Sequence, residues 1–160
     1  MNLHSHKFEL MIHHASPPGL LNELPFSREH AVYNLPDGSE LTESCQVRDL
    51  GIIVSPDGSW STNINNLVTK AKGAAAWVLS VFRSRDVTVM MTLYTSLVRS
   101  HIEYCCPLWS PTNVGDIKRL EDVQKQFTAK ILQIKDLNYH DRLRALNMMS
   151  LKRRREHYSI

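Results

Sequence analysis

The chain is 160 residues long, with 42% hydrophobic and 22% charged residues and a formal net charge of +3 at pH 7. That size suits one domain, or a small domain with an appendage, and the apolar share is enough for a real core rather than a disordered chain. No apolar run approaches the ~18 residues that span a bilayer, and the N-terminus has no signal-peptide h-region. The expectation is an intracellular protein, nuclear or cytoplasmic, with no membrane partner.

The three cysteines are an odd number, and Cys105 and Cys106 are adjacent. They form no disulfide framework, so free, mostly buried thiols are expected. Charge is uneven: residues 1–60 hold three Lys/Arg against eight Asp/Glu, and residues 61–160 hold sixteen against eight. Such asymmetry suggests a polyanionic partner for the C-terminal part, although solvated helix faces produce the same statistic. The shift places a domain boundary near residue 58, giving domains 1–58 and 59–160.

Taken in order, residues 7–12 read as a short strand and residues 15–30, with Pro17, Pro18, Gly19 and Pro25, as a loop. Pro36-Asp37-Gly38-Ser39 is a turn signal between two extended runs and predicts a hairpin. Val47 to Val54 reads as one further strand, stopped by Ser55-Pro56-Asp57-Gly58. From Trp60 the period becomes helical. Ile64, Leu67, Val68, Ala71, Ala75, Val78, Leu79 and Phe82 share one face, while Asn66, Lys70, Gly73 and Trp77 lie opposite.

Asp86 is the expected N-cap of a second helix, with Met90, Leu93, Tyr94, Leu97, Val98 and His101 as its stripe and Pro107 and Pro111 as its end. Asn113 opens a third, with Asp116 in its first turn and Ile117, Leu120, Val123, Phe127 and Ile131 inward. Short helices are expected at 141–146 and 151–158. The fold class is mainly α: an antiparallel, thumb-like helical bundle preceded by a small antiparallel β element.

Ser96 to Pro111 reads S-L-V-R-S-H-I-E-Y-C-C-P-L-W-S-P. It resembles a segment late in the reverse transcriptases of non-LTR (LINE-type, jockey-like) retrotransposons, roughly S-L-V-R-x-x-I/L-E-Y-x-x-x-V/L-W-x-P. Other stretches resemble the same family in the same order. Asn2 and Lys7 to Met11 resemble its N-x-x-K-x-E-x-M element, with looser spacing. Val47 to Val54 resembles its D-L-G strand at the palm-to-thumb junction. Trp60-Ser61 and Ile64 resemble W/F-S-x-H-I, with Asn63 where His is usual, and Lys70-Ala71 matches the K-A that follows. Leu120 to Thr128 is similar to I/L-E-x-V-Q-R/K-x-F-T. Tyr139, Arg142-Leu143, Leu146, Leu151 and Arg153-Arg154 resemble the closing Y-x-x-R-L pattern. Each motif is weak alone; their joint order covers about 150 residues.

The departures bear on chemistry. The family's F/Y-A-D-D metal motif has no counterpart, and no Asp-Asp pair occurs in the chain. Two-metal phosphoryl transfer needs clustered carboxylates. The resemblance therefore implies the end of a palm plus a thumb, gripping an RNA/DNA template–primer duplex beside palm and fingers supplied elsewhere. No catalytic residue, metal ligand or cofactor is expected in this chain; Mg²⁺ belongs to a full-length enzyme. The alternative is a small helical protein-interaction module or a non-functional retroelement relic.

The resemblance makes the outward side of the first long helix the candidate nucleic-acid surface, with Lys70, Lys72, Trp77 and Arg83 as contacts to phosphate and sugar. Arg99, Arg119, Lys125, Lys130, Arg142, Arg153 and Arg154 form a second basic set. The run Lys152 to Arg155 also reads as a nuclear-localisation-type cluster. His101 and Cys105 are four apart but lack the orienting group a catalytic dyad needs. His4, His6, His13 and His14 lack the constrained spacing of a metal site. Trp60 and Trp109 read as core or corner anchors.

Overall fold

The computed structural model describes residues 8–12, 33–35 and 38–158. The chain divides into two compact units, Met1–Thr62 and Asn63–Ile160. Asn2, Lys7, the four N-terminal histidines, the loop at 15–30 and the turn residues Pro36 and Asp37 lie outside the described residues.

In the first unit the segment 47–54 is not one strand. It is a hairpin of β1 (Val47–Asp49) and β2 (Ile52–Val54), antiparallel, with Val47 opposite Val54 and Asp49 opposite Ile52. Leu50 and Gly51 turn the chain with φ of 45° and 88°. Two successive positive φ values match the twist of the flanking strands, which is why tight two-residue hairpins use them. Leu50 hid the turn, because a leucine with 83% exposure and left-handed φ has no signature in an apolar run.

The turn before Ser39 is present: Leu41 N–H donates to Tyr33 O (2.8 Å), Gly38 N–H donates to Leu35 O (2.8 Å), and Gly38 has φ 82°. Among the described residues a single antiparallel bridge, Asn34 to Glu40, flanks it. Within residues 8–12 the expected strand is reduced to one parallel bridge, Leu10 to Glu43.

The second unit is a helical bundle. Helix α1 (Ser61–Val81) starts where Ser59 Oγ accepts from the Ser61 amide (3.2 Å) and buries Asn63, Ile64, Leu67, Val68, Ala71 and Val78. Arg85 closes its far end, donating to Leu79 O (2.8 Å) and Phe82 O. A guanidinium fits there because the last helical carbonyls lack amide partners. Asp86 then caps α2 (Val87–Leu93), its Oδ1 accepting from Thr88 N (2.9 Å).

A π-helical turn (Tyr94–Val98) joins α2 to α3 (Arg99–Glu103). Met90, Tyr94, Val98 and Ile102 are all fully buried at a strict spacing of four. On an α-helix each such step over-rotates by about 40°. The wider π turn winds the stripe back, so all four stay on the core face. The same shift moves His101, expected on the stripe, to the exposed side, and Ile102 takes its place.

Pro107 does not end this helix. Glu103 is its last residue, and Cys105 breaks the chain with φ 50°. Pro107 instead lies in the first turn of α4 (Cys106–Trp109), where its missing N–H costs nothing. Trp109 is fully buried and donates Nε1–H to Tyr104 O (2.7 Å), pinning the corner. Trp60 is half-buried.

Asn113 caps α5 (Val114–Thr128), accepting from Gly115 N (2.8 Å). A 3-10 turn (Leu132–Ile134) follows. Then come α6 (Tyr139–Ala145), capped by Asn138, and α7 (Leu151–Tyr158), which packs on α5 and α4. Helix α6 ends in a Schellman turn: Asn147 has φ 49°, its N–H reaches Arg144 O (3.1 Å), and Met148 N–H reaches Leu143 O (2.8 Å). The thiols depart from expectation, since Cys106 is buried but Cys45 and Cys105 are exposed.

Candidate nucleic-acid interface

Glu121, Gln124 and Tyr139 form one hydrogen-bonded network with Tyr94. Gln124, fully buried on α5, accepts from Tyr94 Oη–H (2.8 Å) and donates to Tyr139 Oη (3.0 Å) and Met149 O (3.1 Å). One turn earlier Glu121 accepts from the Tyr139 hydroxyl and from the Leu151 and Lys152 amides (3.3 Å each). It thereby serves the otherwise unpartnered first amides of α7. Burial, with Glu121 nearby, raises the Tyr139 phenol well above its ordinary value, and burial does the same for Tyr94. Tyr94 also stacks obliquely on Phe127, ring centroids 5.1 Å apart.

Two of the arginines expected on a nucleic-acid surface are held by internal contacts, one buried and one partly buried. Arg142 is only 6% exposed. Its guanidinium donates to Leu137 O (2.7 Å), Lys125 O (3.2 Å) and Thr128 Oγ1 (3.3 Å) and lies over the Tyr139 ring. A side chain so placed reaches no external phosphate. Arg154 grips Glu103 through two nitrogens, and Arg99 meets the same carboxylate at 3.5 Å. Arg154 and Arg99 thus converge on one acceptor and tie α7 to α3. Arg119 is half-exposed but donates to Asn65 Oδ1 (2.6 Å) and pairs with Asp116 (3.2 Å).

The remaining cations face solvent. Lys70, Lys72 and Arg83 are exposed on and just after α1, as are Lys125 and Lys130 at the end of α5, and Arg153 on α7. Lys72 and Lys130 come together: they flank a groove of about 220 Å³ between α1 and α5 whose floor includes Ala75, Leu79, Val123 and Phe127. Trp77 is 54% exposed and touches Phe82 edge-on, centroids 6.2 Å apart. Nothing lies within 4 Å of where a Gly73 Cβ would sit, so α1 presents open backbone there. Positive side chains at the rim of an apolar groove can hold phosphates, and an exposed indole on another face of α1 can meet a sugar or base.

The Lys152–Arg155 run is not an open basic cluster. Arg155 is buried and Arg154 is paired, leaving Lys152 and Arg153 outward. His101 and Cys105 do not share a helix face, because the chain leaves the helix before Cys105. The sequence reading missed Arg85 as a helix stop. Its signal, an arginine one residue before a capping aspartate, is legible only once the end of α1 is known.

No helix among the described residues is long and apolar enough to cross a membrane. No family model matches the chain, and no solved structure matches it. It is similar to an uncharacterized protein of Caenorhabditis elegans, 26% identical over 113 residues, which is 69% of this chain. The match covers 57% of that relative's length.

Proposed function

We propose that the chain is the palm-end and thumb portion of a non-LTR retrotransposon-type RNA-directed DNA polymerase, and that it grips a template–primer duplex without performing the chemistry. The observation that carries this reading is the division of labour between inward motif residues and outward lysines. Glu121, Gln124, Tyr139 and Arg142, which bear the resemblance, hold the bundle together. Lys70, Lys72, Lys125 and Lys130 face outward, two of them at one groove. The duplex lies against the outward side of α1, where Lys70 neutralises a phosphate and Trp77 packs on a sugar edge, while Lys72 and Lys130 hold phosphates from the α1–α5 groove.

Primer extension and binding test the two halves separately. The protein given primer–template, dNTPs and Mg²⁺ or Mn²⁺ should extend nothing; extension abolished by mutating one of its own aspartates would sink the reading. Binding to a DNA duplex should weaken steeply with salt, and Lys70→Ala and Lys125→Ala should each make the log–log slope shallower by about 0.9. A flat salt response would favour the alternative of a helical interaction module or a relic. The feature favouring that alternative is the pair Trp77 and Val81, one turn apart and each more than half exposed.

A further inference from the structure

The groove between α1 and α5 has a volume of about 220 Å³, and Ala75, Leu79, Val123 and Phe127 give it an apolar floor. Packed helices lie only about 8–10 Å apart, so the outside of a double helix rests on the rim of such a groove and does not fill it. A duplex also presents phosphate and sugar outward and keeps its apolar base faces stacked inside. Something other than the paired part of a nucleic acid must therefore meet this floor. We propose that the groove takes one unpaired nucleotide, base inward, where a strand runs past the end of the duplex. This rests on the duplex-gripping reading of the same surface and adds which part of the nucleic acid enters the groove.

The lining matches a nucleotide part by part. The apolar floor offers contact to the flat face of a base, and bases taken out of their stack are held between aromatic or apolar side chains in this way. Gln126 is exposed in the same lining and carries a donor and an acceptor on one amide. Such an amide makes paired hydrogen bonds to the N6 and N7 edge of adenine, so adenine is the favoured base. Lys72 and Lys130, both exposed, hold the phosphates on either side, and no carboxylate among the described lining residues opposes them.

The walls are built before any ligand arrives. Arg119 on α5 donates to Asn65 Oδ1 on α1 (2.6 Å), tying the two helices together upstream of the groove. Val123 and Phe127 are buried in the bundle. A preformed surface keeps the ordering cost of binding low. The volume is small beside the roughly 300–1,000 Å³ of ordinary ligand pockets, which suits one base rather than a run of them. An acidic amphipathic peptide would satisfy the same lysines and floor. Gln126 favours a base, because a base edge brings donor and acceptor in one plane at a fixed spacing.

Fluorescence anisotropy with a set of DNA duplexes of one sequence tests the proposal. One is blunt, one carries a short overhang of deoxyadenosines, and one carries an overhang of the same length made of abasic sugar-phosphate. The abasic strand has the same charge, so the two overhangs differ only in their bases. The adenine overhang should bind about ten-fold tighter than the abasic one. Ala75→Leu fills the groove with a good helix former and leaves the charge unchanged. It should abolish that gain while blunt-duplex affinity stays at the wild-type value. Gln126→Ala, at an exposed position, should remove the preference for an adenine over a thymine overhang. Binding of the blunt duplex with no gain from adenine over abasic overturns this inference and leaves the duplex reading standing; absence of binding to every duplex overturns both. A gain that survives Ala75→Leu places the base elsewhere and also overturns it. Binding of an amphipathic peptide of leucine and glutamate that Ala75→Leu abolishes, with no gain from the bases, makes the groove a protein-docking surface instead.

Discussion

Arg142 and Gln124 show how single residues hold this bundle. Each is buried, and each bridges segments distant in sequence, Arg142 through Leu137, Lys125 and Thr128, Gln124 through Tyr94, Tyr139 and Met149. Removing one partner of a buried polar contact leaves the other desolvated and unsatisfied. Arg142→Met should therefore cost about 3 kcal/mol in urea unfolding, because three acceptors lose a charged donor at once. The two phenols give a pH signature. Both are held protonated in the fold above their ordinary range, so below the unfolded value of about 10 they bring no penalty. As pH rises past that value the unfolded chain ionises and the folded one does not, so stability falls. Alkaline unfolding should begin near pH 10, and Tyr94→Phe should make the decline shallower while lowering stability at neutral pH. A Tyr94→Phe protein with an unchanged alkaline profile would contradict this account.

At the scale of elements, backbone conformation decides what hydrophobic pattern cannot. The apolar run 47–54 becomes a hairpin because Leu50 and Gly51 take left-handed φ, and a leucine there is strained. Leu50→Asn should stabilise the hairpin by about 1 kcal/mol, read as slower amide exchange at Ile53. Faster exchange would argue that the Leu50 side chain holds the turn. The π turn acts similarly: it exchanges His101 for Ile102 on the core face without any change in residue type that the sequence could announce. Caps were easier to read. Asp86 and Asn113 sit where short polar side chains precede periodic runs, and both accept amide protons as such residues do. Asn147 escaped notice because its role needs the preceding helix end to be known.

For the whole molecule, the charge contrast between the two halves of the sequence survives as an exposed cation set on the helical unit, but a thinner one than composition implies. Arg142, Arg154 and Arg155 are withdrawn into internal contacts or burial. If Lys70, Lys72, Arg83, Lys125 and Lys130 all meet phosphates, the salt slope of duplex binding should be about −4.5. A slope much shallower than about −4.5 would contradict this contact set. The sequence by itself determined the helical class, the inward stripe of α1, the helix starts at Asp86 and Asn113, and the absence of an Asp-Asp pair. These follow from local rules, namely period, capping and composition, that need no distant partner. Tertiary structure decided which charges are free. Glu121, Gln124, Arg142 and Arg154 read as ordinary surface residues in a list, and they become internal only because α3, α5, α6 and α7 meet around them. A polar residue's fate depends on whether a partner and a dry surrounding arrive together, and that is a property of the packed bundle.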